Sequence, residues 1–145
     1  MRPKARALLL DIRAVVRAGA PATERAPDEW ALDSDLLDLV RAARAAAVPV
    51  ALTAGGAESL PGPGLAEEFD AVVESSTAGR HKPSAEFFAD ACAALVTPPS
   101  ACLFVDTDDR HIRGARAAGL PAHRWTGPAD LPYLRAALDL PRNDS

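Results

Sequence analysis

Short apolar runs alternate with amphipathic stretches along the chain, which is the pattern of βαβ units around a parallel sheet. Five runs predict buried strands, at residues 7–11, 50–53, 70–74, 101–105 and 122–125. The stretches between them predict helices from 33 or 34 to about 47, from 84 to about 95, from 109 to 118 and from 130 to 138, with a short helical turn at 65–69. The sequence therefore predicts an α/β, Rossmann-like fold, a parallel sheet of about five strands with helices on both faces.

Polar and small residues mark the predicted helix ends. Asp33 or Ser34, Ser84 and Asp130 stand where an N-cap is needed, and Gly119 stands where a helix stops. The stretches 12–30 and 54–64 carry Gly and Pro and are predicted to be irregular. The helix boundaries are thus indicated independently of the apolar pattern.

Polar side chains follow several of the predicted strands. Asp11, Thr53 and Asp106 each stand at a strand end, and Lys82 lies in the loop before the Ser84 helix. Ligands of open parallel sheets bind beyond the carboxyl ends of the strands. We therefore expect these four residues to converge on one functional site.

Composition narrows the class of protein. The chain has 145 residues, 48% of them hydrophobic, and is expected to form one domain with a core at about 5–140 and a frayed tail at 141–145. Its net charge of -4 gives no electrostatic sign of nucleic-acid binding. Cys92 and Cys102 fit no metal or redox spacing and are predicted to be buried thiols, which suits a reducing cytoplasm. No apolar run predicts a signal peptide or a membrane helix, so a cytoplasmic location is expected.

Four stretches resemble the motifs of the haloacid dehalogenase-like (HAD) superfamily. Residues 11–17 resemble the first motif, Asp-x-Asp-Gly-[Thr/Val]-[Leu/Val], and residues 52–55 resemble the second, a Thr or Ser at the end of the second strand. Residues 79–88 are similar to Gly-x-x-Lys-Pro-x-x-x-x-Phe, and residues 104–120 to Val-Asp-Asp-x-x-x-Asn-Ile-x-Gly-Ala-x-x-Ala-Gly. The resemblance extends over nearly the whole chain and implies a HAD core.

The resemblance implies a role for each matching residue. Asp11 takes the position of the nucleophile, which attacks phosphorus and forms an aspartyl-phosphate. Thr53 would bind a phosphoryl oxygen, and Lys82 would hold both the nucleophile and the phosphate. Carboxylates of the first and fourth motifs, here Asp11 and Asp106 with help from Asp108, would hold Mg²⁺.

Departures from the motifs make catalysis and magnesium binding doubtful. Arg13 replaces the Asp that serves as general acid and base, and a guanidinium cannot exchange that proton. Thr107 replaces the second acid of the fourth motif, although Asp106 keeps the first position and Asp108 could take part. His111 stands at the family's Asn and is predicted to be polar surface. Arg13 is either a counter-charge to the acidic cluster or a solvent-facing side chain.

No stretch has the length of a folded cap domain, since only 17–32 and 55–68 are available. An uncapped face suits a large substrate or a partner protein. We expect this face, with Trp30, to pack on a second copy of the chain or on a pathway partner. Arg80 and His81 extend the charge around Lys82, whereas His123 has no evident partner.

Two functions remain open. One is a non-catalytic or weakly active domain that binds a partner or a phosphate-like anion, and the other is a phosphohydrolase or phosphotransferase of narrow scope acting through Asp11. A metal-free dehalogenase-like reaction is a third possibility. A receiver-like fold also uses Asp, Thr and a Lys-Pro pair, but there the pair follows the last strand, whereas Lys82-Pro83 precedes the Asp106 strand.

Overall fold

Five strands form one parallel sheet in the computed structural model, which describes residues 5–16, 33–55, 62–75 and 82–141. The strands are β1 (Ala7–Asp11), β2 (Val50–Ala54), β3 (Ala71–Glu74), β4 (Cys102–Asp106) and β5 (Ala122–Arg124). They lie in the order β3-β2-β1-β4-β5, with every pairing parallel. The predicted fold class is confirmed, and no cap domain is present within the described ranges.

Helices connect the strands and cover both faces of the sheet. They are α1 (Ile12–Val15), α2 (Ser34–Ala45), α3 (Gly62–Ala66), α4 (Ala85–Ala94), α5 (Asp109–Ala117) and α6 (Leu131–Ala137). The stretch after β1 was predicted to be irregular, but it begins with the short helix α1. Helix α3 begins before the turn predicted at 65–69, so that prediction was misplaced by several residues. None of the helices in the described residues is long and apolar enough to cross a membrane.

Three of the predicted helix ends are confirmed. The carboxylate of Asp33 and the hydroxyl of Ser84 each accept a hydrogen bond from the backbone N–H three residues later, at 3.1 and 3.3 Å. Gly119 follows α5 with a φ of +96°, a conformation that side chains disfavour. These contacts satisfy backbone groups that a helix end leaves without partners.

The predicted cap of the last helix is wrong. Asp130 stands at the start of α6, but its side chain makes no capping hydrogen bond there. Its carboxylate instead accepts hydrogen bonds from the backbone N–H of Thr126 at 2.7 Å and from the hydroxyl of Thr126 at 2.9 Å. Asp130 therefore closes the turn that leads out of β5.

Alternate residues of the strands build two separate cores. Leu8 and Leu10 of β1 pack toward α2 and α6, whereas Leu9 packs toward α4 and α5. Cys92 and Cys102 are buried free thiols on the α4 side, as predicted. A strand that is apolar on both sides reads as a continuous hydrophobic run, as β1 does.

The sheet register places three polar residues side by side. Asp11 pairs with Thr53 across β1 and β2, and Leu10 pairs with Val105, so Asp106 lies level with Asp11 on the other side. Because strand side chains alternate, these polar side chains share the sheet face that α4 and α5 cover. The fold therefore collects them at the carboxyl edge of the central strands.

Candidate active site

The carboxylate of Asp11 lies at the centre of the site. Asp11 and Thr53 are fully buried, and the Thr53 hydroxyl donates to Asp11 Oδ1 at 2.9 Å. The Nζ of Lys82 donates to the same oxygen, while the backbone N–H of Arg13 donates to Oδ2 at 3.0 Å. Burial raises the pKa of Asp11, and the nearby carboxylate of Asp106 raises that pKa further. The ammonium of Lys82 acts in the opposite direction and lowers it. The site therefore holds the buried carboxylate of Asp11 next to the ammonium of Lys82.

The loop before α4 brings Lys82 to that carboxylate. Its side chain is only 3% exposed, so the ammonium lies inside the site rather than at its rim. Next to it, Pro83 packs against Gly114 of α5, where an added Cβ would lie 2.4 Å from the Pro83 Cβ and 2.7 Å from its carbonyl oxygen. Only glycine permits this approach, which explains why the fourth motif needs Gly114 to place the lysine of the third.

Asp106 is held by the segment that follows it. Its Oδ1 accepts from the backbone N–H groups of Thr107 at 2.6 Å and Asp108 at 3.1 Å. Its Oδ2 lies 2.8 Å from Nδ1 of His111, and an ionised carboxylate makes that nitrogen the donor. Asp106 is fully buried and His111 is 8% exposed.

The prediction that His111 is polar surface is therefore wrong. The first turn of α5 folds back over the end of β4, and this brings the fifth residue after Asp106 into the interior. The position of the family's Asn was the signal that could have indicated a buried hydrogen-bonding role.

The Arg13 side chain lies on the outer side of the cluster. Its guanidinium is half exposed and lies 3.7 Å from the carboxylate of Asp108. Asp108 also caps α5 through the backbone N–H of Arg110, and its carboxylate binds the Arg110 guanidinium at 3.2 Å. The hydrogen bond from Arg110 lowers the pKa of Asp108 to about 2. Arg13 therefore contacts the acidic cluster of Asp11, Asp106 and Asp108 through the carboxylate of Asp108.

Other sequence predictions have different outcomes. His123 was expected to lack a partner, but its Nε2 lies 3.0 Å from Asp130 and its ring stacks on Tyr133 at 4.9 Å. This prediction is wrong because the turn after β5 brings Asp130, and Tyr133 of α6, back beside the strand. The predictions for Arg80, His81 and Trp30, and for the segment 17–32, lie outside the described residues.

Comparisons with known proteins agree with this geometry. A family model described as a haloacid dehalogenase-like hydrolase matches residues 2–119. The chain belongs to the HAD-like hydrolase family. A phosphoserine phosphatase of Thermus thermophilus is 41% identical to this HAD-like chain over 66 residues, which are 45% of the chain and 26% of that relative. The HAD-like chain therefore matches only about a quarter of the relative's length.

Solved structures share the HAD-like fold at low sequence identity. An uncharacterised protein from Corynebacterium glutamicum superposes with a TM-score of 0.74 at 21% identity, covering 95% of this chain and 98% of the other. A HAD family enzyme from Bacteroides thetaiotaomicron, solved in complex with magnesium and inorganic phosphate, gives a TM-score of 0.67 at 12% identity, covering 90% and 98%. Identities this low establish the fold alone.

Hydrolases of the HAD-like family typically use Mg²⁺, which needs oxygen ligands in near-octahedral geometry. The described carboxylates do not fit such a shell as they are arranged. Both oxygens of Asp11 and of Asp106 already accept hydrogen bonds from protein groups, and Asp108 binds Arg110. Within the described residues, no group of three His, Cys, Asp or Glu side chains is placed to hold a metal ion. A metal would have to share these carboxylate oxygens with the protein donors or displace them.

Proposed function

We propose that this chain is a phosphate-binding HAD-type domain with weak phosphohydrolase activity that is limited to phosphates with good leaving groups. The observation that carries the proposal is the buried contact of Asp11 with Thr53 and Lys82. A carboxylate, a hydroxyl and an ammonium at one strand edge are the groups that phosphoryl transfer to an aspartate needs.

The first half of the reaction uses groups that the site retains. An Asp11 oxygen attacks phosphorus, the bond from phosphorus to the leaving oxygen breaks, and the leaving group takes the electron pair. Lys82 and Thr53 would then donate to the phosphoryl oxygens instead of to the nucleophile. Burial raises the pKa of Asp11, and the ammonium of Lys82 opposes that shift by favouring the carboxylate, which is the nucleophilic form. In the second half, water attacks the phosphorus of the aspartyl-phosphate, which releases inorganic phosphate and regenerates the Asp11 carboxylate.

The proton-transfer part of the reaction lacks its usual residue. Arg13 stands two residues after the nucleophile, where the family has an Asp that protonates the leaving oxygen. General acid–base catalysis contributes about 10²–10⁴-fold, equal to roughly 3–5 kcal/mol of barrier. Acyl and aryl phosphates release stable anions and do not need this proton, whereas alkyl phosphates do.

The test measures hydrolysis of acetyl phosphate, p-nitrophenyl phosphate and propyl phosphate, with and without millimolar magnesium. We expect slow turnover of the first two compounds and none of the third. Asp11→Asn should abolish turnover. Asp109→Asn is the matched control, because Asp109 is an exposed carboxylate that pairs with Arg113 at 3.4 Å. Efficient turnover of propyl phosphate by the wild type, or activity that survives Asp11→Asn, would contradict the proposal.

The second candidate is a non-catalytic domain that uses the same residues to bind an anion or a partner, either another copy of the chain or a pathway protein. Arg13 at the acid–base position favours it. Under this candidate Asp11→Asn leaves phosphate binding in place and no substrate is turned over by the wild type. The hydrolysis assay separates the two candidates, and calorimetric titration with inorganic phosphate tests the anion binding that both require.

A further inference from the structure

Three arginines converge on the loop that follows Asp106. Arg110 Nη2 lies 3.2 Å from the Asp108 carboxylate, and Arg13 Nη1 lies 3.7 Å from the same Oδ2 atom. The Nε of Arg124 donates to the carbonyl oxygen of Thr107 at 3.3 Å. We call Arg13, Arg110 and Arg124 the arginine rim.

The arginine rim draws on three neighbouring strands. Arg13 follows β1, Arg110 lies in the first turn after β4, and Arg124 ends β5, and these strands are adjacent in the sheet. Parallel strands end at one edge, so the arginine rim lies at the same edge of the sheet as Asp11. Arg13 is two residues from Asp11, which limits the separation of their Cα atoms to about 7.6 Å. We therefore expect a ligand of a few carbon atoms to span the Asp11 site and the Arg13 end of the arginine rim.

The guanidinium groups are anchored yet open to solvent. The side chain of Arg13 is 50% exposed and that of Arg110 is 74% exposed, and Arg124 is an exposed residue. Asp108 anchors the Arg110 guanidinium through an ion pair at 3.2 Å and accepts the backbone N–H of the same residue at 2.9 Å. A guanidinium carries five N–H donors; Arg110 uses two of them toward Asp108, and Arg124 uses one toward Thr107. A planar donor group held at one side is preorganised for a phosphate or carboxylate on the other.

We propose that the arginine rim binds a second anionic group of the substrate, so that the preferred substrate is a small acyl or aryl phosphate with a further phosphate or carboxylate on its leaving-group side. The inference rests on the proposed function, because it places the first phosphate at Asp11, Thr53 and Lys82. Charge on the leaving group would then be recognised by the core domain itself, next to the reacting phosphorus.

The experiment compares the binding of propyl phosphate with that of propane-1,3-diol bisphosphate by calorimetry, at one fixed ionic strength. The chains are the wild type, Arg110→Gln, Arg124→Gln and Arg113→Gln. Arg113 is the matched control, since it lies on the same helix, is 68% exposed and pairs with Asp109 instead of with the Thr107–Asp108 loop. Thermal unfolding of each variant checks that the fold is retained.

We expect the wild type to bind the bisphosphate at least about tenfold more tightly than the monophosphate, the lower end for a hydrogen bond to a charged group. Arg110→Gln and Arg124→Gln should each reduce that ratio several-fold, while Arg113→Gln leaves it unchanged. If the wild type binds propyl phosphate and the bisphosphate with equal affinity, the proposed role of the arginine rim is wrong. The proposed function would remain valid. A loss for Arg113→Gln as large as for Arg110→Gln would also overturn it, because general surface charge would explain both. Binding of neither compound would overturn both proposals.

Discussion

His111 donates through Nδ1 to Asp106 Oδ2 at 2.8 Å, and both residues lie almost wholly inside the protein. The second ring nitrogen lies 3.8 Å from Asp108 Oδ2, so one imidazole stands between two carboxylates of the fourth motif. The contact ties α5 to the end of β4 and fixes the direction in which Asp106 points. This arrangement gives the first prediction.

His111→Ala should destabilise the fold by about 1–3 kcal/mol, because a buried carboxylate oxygen loses its donor. His111→Asn should cost less, since the Asn side chain can still donate a hydrogen bond. Urea unfolding at neutral pH measures both variants against the wild type. If the two substitutions cost the same, the hydrogen bond to Asp106 contributes nothing and only the loss of packing matters.

Gly114→Ala should destabilise the chain by about 1–3 kcal/mol, the usual cost of overpacking, because the new Cβ would meet Pro83 at 2.4 Å. The clash moves the turn that carries Lys82, so activity or phosphate affinity should fall as well. Gly64→Ala is the control, since an added Cβ there meets nothing within 4 Å. Urea unfolding and phosphate titration of both variants decide the matter, and equal behaviour of the two would contradict the close approach.

The fold could be predicted from the sequence because its signals are local. Each strand is a short apolar run, and Asp33, Ser84 and Gly119 mark helix ends by their own chemistry. The positions of Asp11 and Thr53 followed from strand ends in a parallel sheet. By contrast, the contacts of His111 depend on how α5 turns back over the sheet, which no local pattern encodes.

The same limit explains the error at His123. His123 lies near Asp130 because of the turn after β5, and the sequence of the strand itself does not indicate this contact. Asp130 looks like a helix cap in sequence because Asp is common there. Thr126 donates two hydrogen bonds to the Asp130 carboxylate, one from its backbone N–H and one from its hydroxyl. These hydrogen bonds take the place of the helix cap.

Asp108→Asn should remove a small, pH-dependent part of the stability. The pKa of Asp108 falls from 3.8 to about 2 in the folded chain, so its ionised form stabilises the fold above pH 3.8 and this contribution is lost as the pH falls toward about 2. The group is partly exposed, so the effect should stay below about 1 kcal/mol. Asn still caps α5, which isolates the charge.

Urea unfolding over that pH range measures the difference between Asp108→Asn and the wild type. The difference should be constant near neutral pH and vanish on acidification. A difference that grows toward low pH would give the opposite sign of linkage and contradict the ion pair with Arg110.

Arg13→Asp should raise the hydrolysis of propyl phosphate, because it restores a group that can protonate the leaving oxygen. The gain is bounded by the value of general acid–base catalysis, about 10²–10⁴-fold. Arg13→Gln removes the positive charge without adding an acid and should not produce it. Steady-state rates of the three chains on propyl phosphate provide the measurement. Equal rates for Arg13→Asp and the wild type would show that the acid–base position does not limit turnover.

Magnesium should barely stabilise the wild type. A ligand raises the melting temperature only as far as it occupies the folded state, and here the carboxylate oxygens of Asp11 and Asp106 are already held by protein donors. We expect millimolar magnesium chloride to shift the melting temperature by less than about 1 °C, well below the roughly 2–8 °C that 1 kcal/mol produces in small domains. Sodium chloride of equal ionic strength is the control for screening.

The variant Arg13→Asp with His111→Asn should respond differently. It brings the first and fourth motifs closer to the family pattern, removes the guanidinium beside Asp108 and replaces the imidazole on Asp106. Added carboxylate charge without a cation is repulsive, so this chain should melt at a lower temperature and recover on addition of magnesium. A large magnesium shift in the wild type would mean that the metal outcompetes the protein donors. The hydrogen bonds around Asp106 would then be those of a metal-free resting arrangement, and the case for an efficient magnesium-dependent phosphatase would be correspondingly stronger.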